Sequence, residues 1–133
     1  MKKLFVSVPM KGRKEENIKR DIEKMHKIAE AVFGEELELL DSYIEENPPE
    51  GCNVPVWYLG KSVELIAQAD YFIGIEQWME AFKGCEIERD VAANYNIARF
   101  FINPVHLSPD ILEIENDVQE AVFRNQCCAP VRG

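Results

Sequence analysis

The sequence predicts a three-layer α/β sandwich in which helices cover both faces of a parallel sheet of four to five strands. Short apolar runs alternate along the chain with longer segments whose apolar residues recur every three or four positions. The resulting order of elements is β-α-β-α-β-α-β-α. Strands separated by helices at this spacing need right-handed crossovers and therefore lie parallel. The pattern is typical of a flavodoxin or Rossmann-like fold.

The predicted strands are short and mostly apolar, as expected for strands that are buried on both faces. The first strand breaks at Pro9, and the fourth ends before Asn103 and Pro104. We place the strands at residues 4–8, 38–40, 71–75 and 97–102.

The predicted helices are amphipathic and have recognisable ends. In the first helix, Ile18, Ile22 and Met25 recur on one side with charged residues opposite, and Gly34 is a natural terminator. Pro55 suits the first turn of the second helix. We place the helices at residues 14–33, 55–69, 85–96 and 109–123.

The length of 133 residues leaves room for one domain, which we assign to residues 1–125, with a tail at 126–133. No apolar run approaches the roughly 18 residues of a membrane helix or the ~7–15 apolar residues of a signal peptide. The formal net charge of −9 disfavours binding to a nucleic acid polymer. We therefore expect a cytoplasmic protein with no nucleic-acid polymer and no membrane as partner.

The cysteine spacing suits neither a zinc site nor a disulfide framework, because no Cys-x-x-Cys pair occurs. Reduced thiols are the expected state of Cys52, Cys85, Cys127 and Cys128. We expect no metal ion and no cofactor.

The ligand site of such a fold lies at the carboxyl ends of the strands, near the point where the strand order reverses. The loops that follow the predicted strands are therefore the segments in which to seek functional residues. These loops are residues 9–13, 41–54, 76–84 and 103–108.

Glu88 is the most informative residue of the third predicted helix. On a helical projection it lies in the middle of an apolar arc that includes Cys85, Ile87, Val91 and Tyr95. A carboxylate that faces inward in the first turn of a helix is costly unless it is paired, solvated by a cleft or used in chemistry. The alternative is that Glu88 only stabilises the amino terminus of the helix.

The first loop carries two cations just before a helix. Lys11 and Arg13 flank Gly12 at a point where the free amides of the helix terminus attract anions. The alternative is that both are solvated charges at the start of a highly charged helix.

Residues 83–92, Lys-Gly-Cys-Glu-Ile-Glu-Arg-Asp-Val-Ala, resemble the glycine-x-x-x-glutamate-x-x-x-alanine signature of the nucleoside 2-deoxyribosyltransferase-like superfamily. The similarity is greatest to its small bacterial and phage members. The loop at residues 9–12, Pro-Met-Lys-Gly, resembles the first loop of that group, and residues 65–71 resemble its helix-to-strand junction. Trp78 resembles a tryptophan of the following loop. The resemblance extends over about residues 3–103.

The resemblance implies that Glu88 is a nucleophile. In the superfamily, this carboxylate attacks the anomeric carbon of a nucleoside, expels the base and forms a glycosyl-enzyme. A second base resolves the intermediate in a transferase, and water resolves it in a hydrolase. Burial would desolvate the nucleophile, while the helix amino terminus would keep it ionised.

The resemblance also implies a small-molecule nucleoside or nucleotide as ligand, and a homodimer or higher homo-oligomer. Nucleoside 5′-monophosphate hydrolases of the superfamily have a similar glycine- and arginine-bearing first loop, which implies a phosphate. The implied substrate-binding residues are Pro9, Met10, Lys11, Gly12, Arg13, Asp41, Ser62, Trp78 and Gly84.

The sequence departs from the superfamily pattern at three points. Ser62 stands where an aspartate is expected, and a serine cannot do the same acid/base work at neutral pH. Phe82 stands where a serine is expected, and the spacing from Trp78 to Gly84 is one residue longer than the pattern. Carboxylates that could substitute are Asp41, Glu76 and Glu80.

Three functions stay open on this basis. The first is an enzyme that acts on the N-glycosidic bond of a nucleoside or nucleotide. The second is a nucleotide-binding module of the same fold that has lost the chemistry. The third is a structural protein whose acidic surface recruits another chain.

Overall fold

The computed structural model describes residues 1–76 and 83–111. The strands are β1 (Lys2–Val6), β2 (Leu37–Leu39), β3 (Tyr71–Ile75) and β4 (Ala98–Ile102). The helices are α1 (Glu15–Phe33), α2 (Val54–Ile66) and α3 (Lys83–Asn94), and a 3₁₀ helix (Pro104–His106) follows β4.

The described strands form one parallel sheet with the order β2-β1-β3-β4. The predicted α/β sandwich with a parallel sheet is therefore confirmed, and the order matches the first four strands of a flavodoxin-like sheet. The chain runs from β1 to β2 on one side and then returns to β3 on the other. The strand order thus reverses between β1 and β3, where ligands bind in such sheets.

Side chains of β1 alternate between two apolar clusters, because successive strand residues point to opposite faces. Leu4 and Val6 pack in the cluster that holds the buried side of α1. Phe5 packs in the other cluster with Ile66 of α2 and Ala92 of α3. The sheet therefore has an α1 face and an α2/α3 face.

The ends of several elements differ from the predictions. β1 begins and ends two residues before the predicted 4–8, although Val8 is still buried. The third helix begins at Lys83, two residues before the predicted start at 85, so Gly84 lies in its first turn. Residues 110 and 111 are helical, within the last helix predicted at 109–123, and the rest of that helix and the tail at 126–133 lie outside the described residues.

Two apolar stripes are narrower than predicted. Val32 of α1 and Val63 of α2 are exposed, although both continue the spacing of three to four residues between apolar positions of their helices. Within residues 1–76 and 83–111, no helix combines the length and the apolar character needed to cross a membrane.

Candidate active site

Ser7 lies at the point where the strand order reverses. Its backbone amide donates to the carbonyl of Ile73 at 2.8 Å and so extends the pairing of β1 with β3. Ser7 is two residues beyond Phe5, and its side chain points to the same α2/α3 face. The side chain is buried at 2% exposure, so its hydroxyl has to find a partner inside the protein.

That partner is Glu88. The Ser7 hydroxyl donates to Glu88 Oε1 at 2.6 Å, a contact between residues 81 positions apart. The length is typical of a charge-assisted hydrogen bond from a hydroxyl to a carboxylate. The contact places the Glu88 carboxylate beside the carboxyl end of β1, where a ligand site is expected.

The packing of α3 explains the direction of Glu88, but it differs from the predicted arc. Ala92 is buried in the α2/α3 cluster, Cys85 is buried in the cluster on the α1 side, and Glu88 between them in the sequence is half-buried. Ile87 and Tyr95 were expected to desolvate Glu88, and this is wrong, because they are 37% and 77% exposed. The fully buried residues of α3 are thus Cys85 and Ala92, and the side chain of Glu88 is partly exposed.

The helix terminus contributes less to Glu88 than predicted. Because α3 begins at Lys83, Glu88 lies in the second turn, and Glu86 is the acidic residue of the first turn. The dipole effect of a helix falls off within the first turn. Side-chain hydroxyls, and not the helix amino terminus, are therefore the local groups that favour the ionised carboxylate.

Burial raises the pKa of Glu88 above its ordinary value, and hydrogen bonds from Ser7 and Ser62 lower it without cancelling the effect of burial. Ser62 lies on α2, at the position where the superfamily pattern has an aspartate. The Ser62 hydroxyl is thus near enough to Glu88 to lower its pKa, but a serine is not a second acid.

Cys85 lies close to Ser7 and Glu88. Burial, and then the charge of Glu88, raise the pKa of the Cys85 thiol far above its ordinary value, and a hydrogen bond with Ser7 opposes this. Cys85 is therefore a neutral thiol at physiological pH. It is not activated as a nucleophile, which requires a thiolate.

The first loop does not present Arg13 to solvent. The Arg13 side chain is 0% exposed and pairs with Asp21 of α1. Its Nε donates to Asp110 at 3.0 Å and its Nη1 donates to the carbonyl of Pro9 at 2.8 Å. Arg13 is thus not a solvated charge, and substrate binding by Arg13 would require this cluster to open.

The other residues of the first loop vary in exposure. Lys11 and Gly12 are exposed, Met10 is half-buried and Pro9 is buried. Gly12 has a φ of 78°, in the left-handed region that favours glycine. Lys11 is therefore the cation of this loop that faces solvent.

Asp41 lies on the face of the sheet opposite to Ser7. Leu39, Asp41 and Tyr43 line a shallow cavity of about 300 Å³ together with residues of α1. Asp41 Oδ1 accepts a hydrogen bond from the Tyr43 amide at 3.1 Å. The structure therefore does not bring Asp41 to Glu88, although both lie toward the carboxyl end of the sheet.

The remaining predicted residues divide into two groups. Gly84 is exposed in the first turn of α3, and Glu76 is exposed directly after β3. Trp78, Glu80 and Phe82 lie outside the described residues. Of the cysteines, Cys52 and Cys85 are free thiols, and Cys127 and Cys128 lie outside the described residues.

Two buried serines at the carboxyl end of the sheet, Ser7 and Ser42, were not among the predicted site residues. Each stands two residues after an apolar side chain of the α2/α3 cluster, Ser7 after Phe5 and Ser42 after Leu40. A polar residue that continues the inward parity of an apolar strand past its end is the signal that identifies both.

No family model matches the chain, and no curated protein or solved structure is significantly similar to it.

Proposed function

We propose that this protein cleaves or transfers at the N-glycosidic bond of a (deoxy)nucleoside or nucleoside 5′-monophosphate, with Glu88 as the nucleophile. The observation that carries the proposal is the Glu88 carboxylate held by Ser7 beside the reversal point of the sheet. A half-buried carboxylate with hydroxyl donors, placed where this fold binds ligands, is suited to covalent catalysis.

The proposed reaction has two steps. A Glu88 oxygen forms a bond to the anomeric carbon while the bond to the base nitrogen breaks, and the base leaves with the electron pair and takes up a proton. Water or the nitrogen of a second base then bonds to the same carbon and loses a proton, while the bond from that carbon to the Glu88 oxygen breaks and releases the carboxylate. The hydrogen bond from Ser7 orients Glu88, and burial weakens solvation of the nucleophile.

The resemblance to the nucleoside 2-deoxyribosyltransferase-like superfamily supports this proposal, and membership of that superfamily is part of it. The superfamily's nucleophile corresponds to Glu88, and its aspartate corresponds to Ser62, which reaches Glu88. We extend the proposal to a cytoplasmic homodimer or higher homo-oligomer that binds a small nucleoside or nucleotide.

One observation favours a second candidate, a nucleotide-binding module without catalysis. Within residues 1–76 and 83–111, the side chains that hydrogen-bond Glu88 are the hydroxyls of Ser7 and Ser62. Neither can protonate a departing base at neutral pH as a carboxylic acid can. Such a module binds nucleosides and leaves their glycosidic bond intact.

The test is to incubate the protein with deoxynucleosides, ribonucleosides and their 5′-monophosphates, with and without acceptor bases, and to separate the products by chromatography. We expect base release or exchange that Glu88→Gln abolishes. Glu86→Gln is the matched control, since Glu86 is exposed on the same helix. Binding without turnover would select the module, and full activity of Glu88→Gln would eliminate the proposed mechanism.

A further inference from the structure

We propose that the Ser42 hydroxyl is a ligand-binding group that hydrogen-bonds a sugar hydroxyl of the molecule bound beside Glu88. The assignment of that sugar to a nucleoside rests on the proposed function. The assignment of Ser42 to the site rests on its burial and its position.

Among the described residues, Ser42 is the buried polar group with an unmet hydrogen-bonding need. It is 3% exposed, and its hydroxyl has no hydrogen-bond partner in the described part of the chain. Ser7 and Ser108, which are buried to a similar degree, both have partners for their hydroxyls. Burial of an unpaired hydroxyl costs free energy, and a bound ligand is one way to recover it.

The register of β1 with β2, continued beyond its last pair, places Ser42 level with Ser7. Leu4 of β1 is paired with Leu39 of β2, and the Leu40 amide donates to the Leu4 carbonyl at 2.9 Å. Three further residues along each segment lead to Ser7 and Ser42. Both serines therefore lie at the same edge of the sheet, on adjacent segments.

The alternation of side chains places Ser42 on the same face as Glu88. Leu39, Asp41 and Tyr43 point to the cavity beside α1. Leu40 points the other way and packs in the α2/α3 cluster with Phe5. Ser42 lies three residues beyond the end of β2, and the same alternation, continued past that end, puts it on the side of Leu40, from which Glu88 reaches Ser7.

The chemistry of the surroundings selects a hydroxyl-bearing ligand. A serine hydroxyl both donates and accepts, and an alcohol of the ligand satisfies both capacities. The carboxylate of Glu88 disfavours an anionic group in this region. Arg13, the buried cation of the neighbouring loop, is paired with Asp21 and Asp110. A neutral sugar hydroxyl fits this corner of the site better than a phosphate does.

Thermal unfolding of the free protein tests the unmet hydrogen bond without any assumption about function. We expect Ser42→Ala to leave the melting temperature unchanged or raised, because no hydrogen bond within residues 1–76 and 83–111 is lost. Ser108→Ala is the matched control, since the Ser108 hydroxyl donates to Asp21 at 2.8 Å, and it should lower the melting temperature by several degrees. An equal fall for Ser42→Ala would overturn the proposal.

Calorimetry then tests the ligand. Wild-type and Ser42→Ala proteins are titrated with a ribonucleoside and with its 2′-deoxy, 3′-deoxy and 5′-deoxy analogues. We expect Ser42→Ala to bind the parent nucleoside roughly 5–20-fold more weakly, the usual effect of one lost hydrogen bond. One analogue should bind equally to both proteins, because it lacks the contacted hydroxyl.

The calorimetric titration measures nucleoside binding and not turnover. A failure of the role of Ser42 can therefore be told apart from a failure of the proposed reaction. Ser42-dependent binding without turnover would support the role of Ser42 and reject the glycosidic chemistry. An equal loss for every analogue, no loss for any, or no nucleoside binding by the wild-type protein would reject the role of Ser42.

Discussion

At the scale of single residues, Glu88 is subject to two opposed effects. Burial disfavours its charge, and the hydroxyls of Ser7 and Ser62 favour it. A nucleophile benefits from both, since desolvation raises its reactivity and donors keep a usable fraction ionised at neutral pH. The balance between these effects is measurable with substitutions that change one of them at a time.

Ser7→Ala removes a hydrogen bond that lowers the pKa of Glu88. The pKa should rise further, so the acidic limb of the pH profile of kcat/KM should move to higher pH. A hydrogen bond to a charged group is worth about 1.5–3 kcal/mol, so kcat should fall by roughly 10–100-fold. Ser7→Thr, which keeps the hydroxyl, should restore much of the activity. An unchanged acidic limb in Ser7→Ala would show that the contact does not set the ionisation of Glu88.

Glu88→Gln should stabilise the protein at neutral pH. Because the pKa of Glu88 is raised in the folded state, the folded protein holds this proton more tightly than the unfolded chain. Ionising the buried carboxyl therefore lowers the free energy of unfolding. This loss is absent below the pKa of Glu88 in the unfolded chain, appears as pH rises through that value, and is complete above the pKa of Glu88 in the folded protein. We expect a gain of about 0.5–2 kcal/mol in the free energy of unfolding at neutral pH.

Urea unfolding at neutral pH and near pH 4 checks this prediction. The gain from Glu88→Gln should shrink at the lower pH, where the wild-type carboxyl is protonated. The exposed Glu86 is the control, and Glu86→Gln should show no comparable gain. A destabilised Glu88→Gln at neutral pH would mean that the charge is favourably paired and that burial is not the dominant effect on Glu88.

At the scale of elements, a buried ion-pair cluster links the loop after β1, helix α1 and the segment after β4. Arg13 binds Asp21, Asp110 and the carbonyl of Pro9. Asp21 also accepts hydrogen bonds from the Ser108 amide and hydroxyl. These contacts fix the loop that follows Ser7, so the cluster supports the site from the α1 side.

Asp21→Ala should destabilise the protein strongly, since it removes one partner of a buried pair and leaves the Arg13 charge poorly compensated. The expected loss is about 3–5 kcal/mol in the free energy of unfolding, measured by denaturant titration. The exposed pair of Lys27 with Glu23 is the control, and Lys27→Ala should change stability by less than about 0.5 kcal/mol. A similarly small effect of Asp21→Ala would make Arg13 a candidate ligand-binding donor again.

At the scale of the whole molecule, the strand order decides where the site lies. β1 and β3 are the central strands, and their carboxyl ends meet where the chain changes direction across the sheet. Ser7 extends β1 at this point, and α3 brings Glu88 to it. The strand order therefore determines where the site lies, and a few polar side chains determine its chemistry.

The same strand order predicts the distribution of local stability. Backbone amides of β1 and β3 should exchange with solvent more slowly than those of β2 and β4, because the central strands are paired on both sides and well buried. Native-state hydrogen exchange by mass spectrometry or NMR measures this directly. Equal protection in β2 or β4 would argue against the four-strand order.

The sequence predicted the order of elements because strand and helix periodicities are local properties. It predicted the inward direction of Glu88 for the same reason. It did not predict the partner Ser7, because the two residues are 81 positions apart. The burial of Arg13 was missed likewise, since Asp110 lies 97 positions away and pairing of this kind leaves no local periodic signal. Tyr95 was misplaced because periodicity identifies an apolar arc without showing which part of it meets the sheet.

The proposed function depends above all on a covalent bond between Glu88 and the sugar of a nucleoside. Intact-protein mass spectrometry detects that bond after incubation with 2′-deoxy-2′-fluoro nucleosides, whose fluorine disfavours the oxocarbenium-like transition state and slows turnover. We predict a mass increase of one fluorosugar, located by peptide mapping at Glu88 and absent from Glu88→Gln. Substrate turnover accompanied by an adduct at another residue, or undiminished turnover by Glu88→Gln, would contradict the assignment of Glu88 as nucleophile.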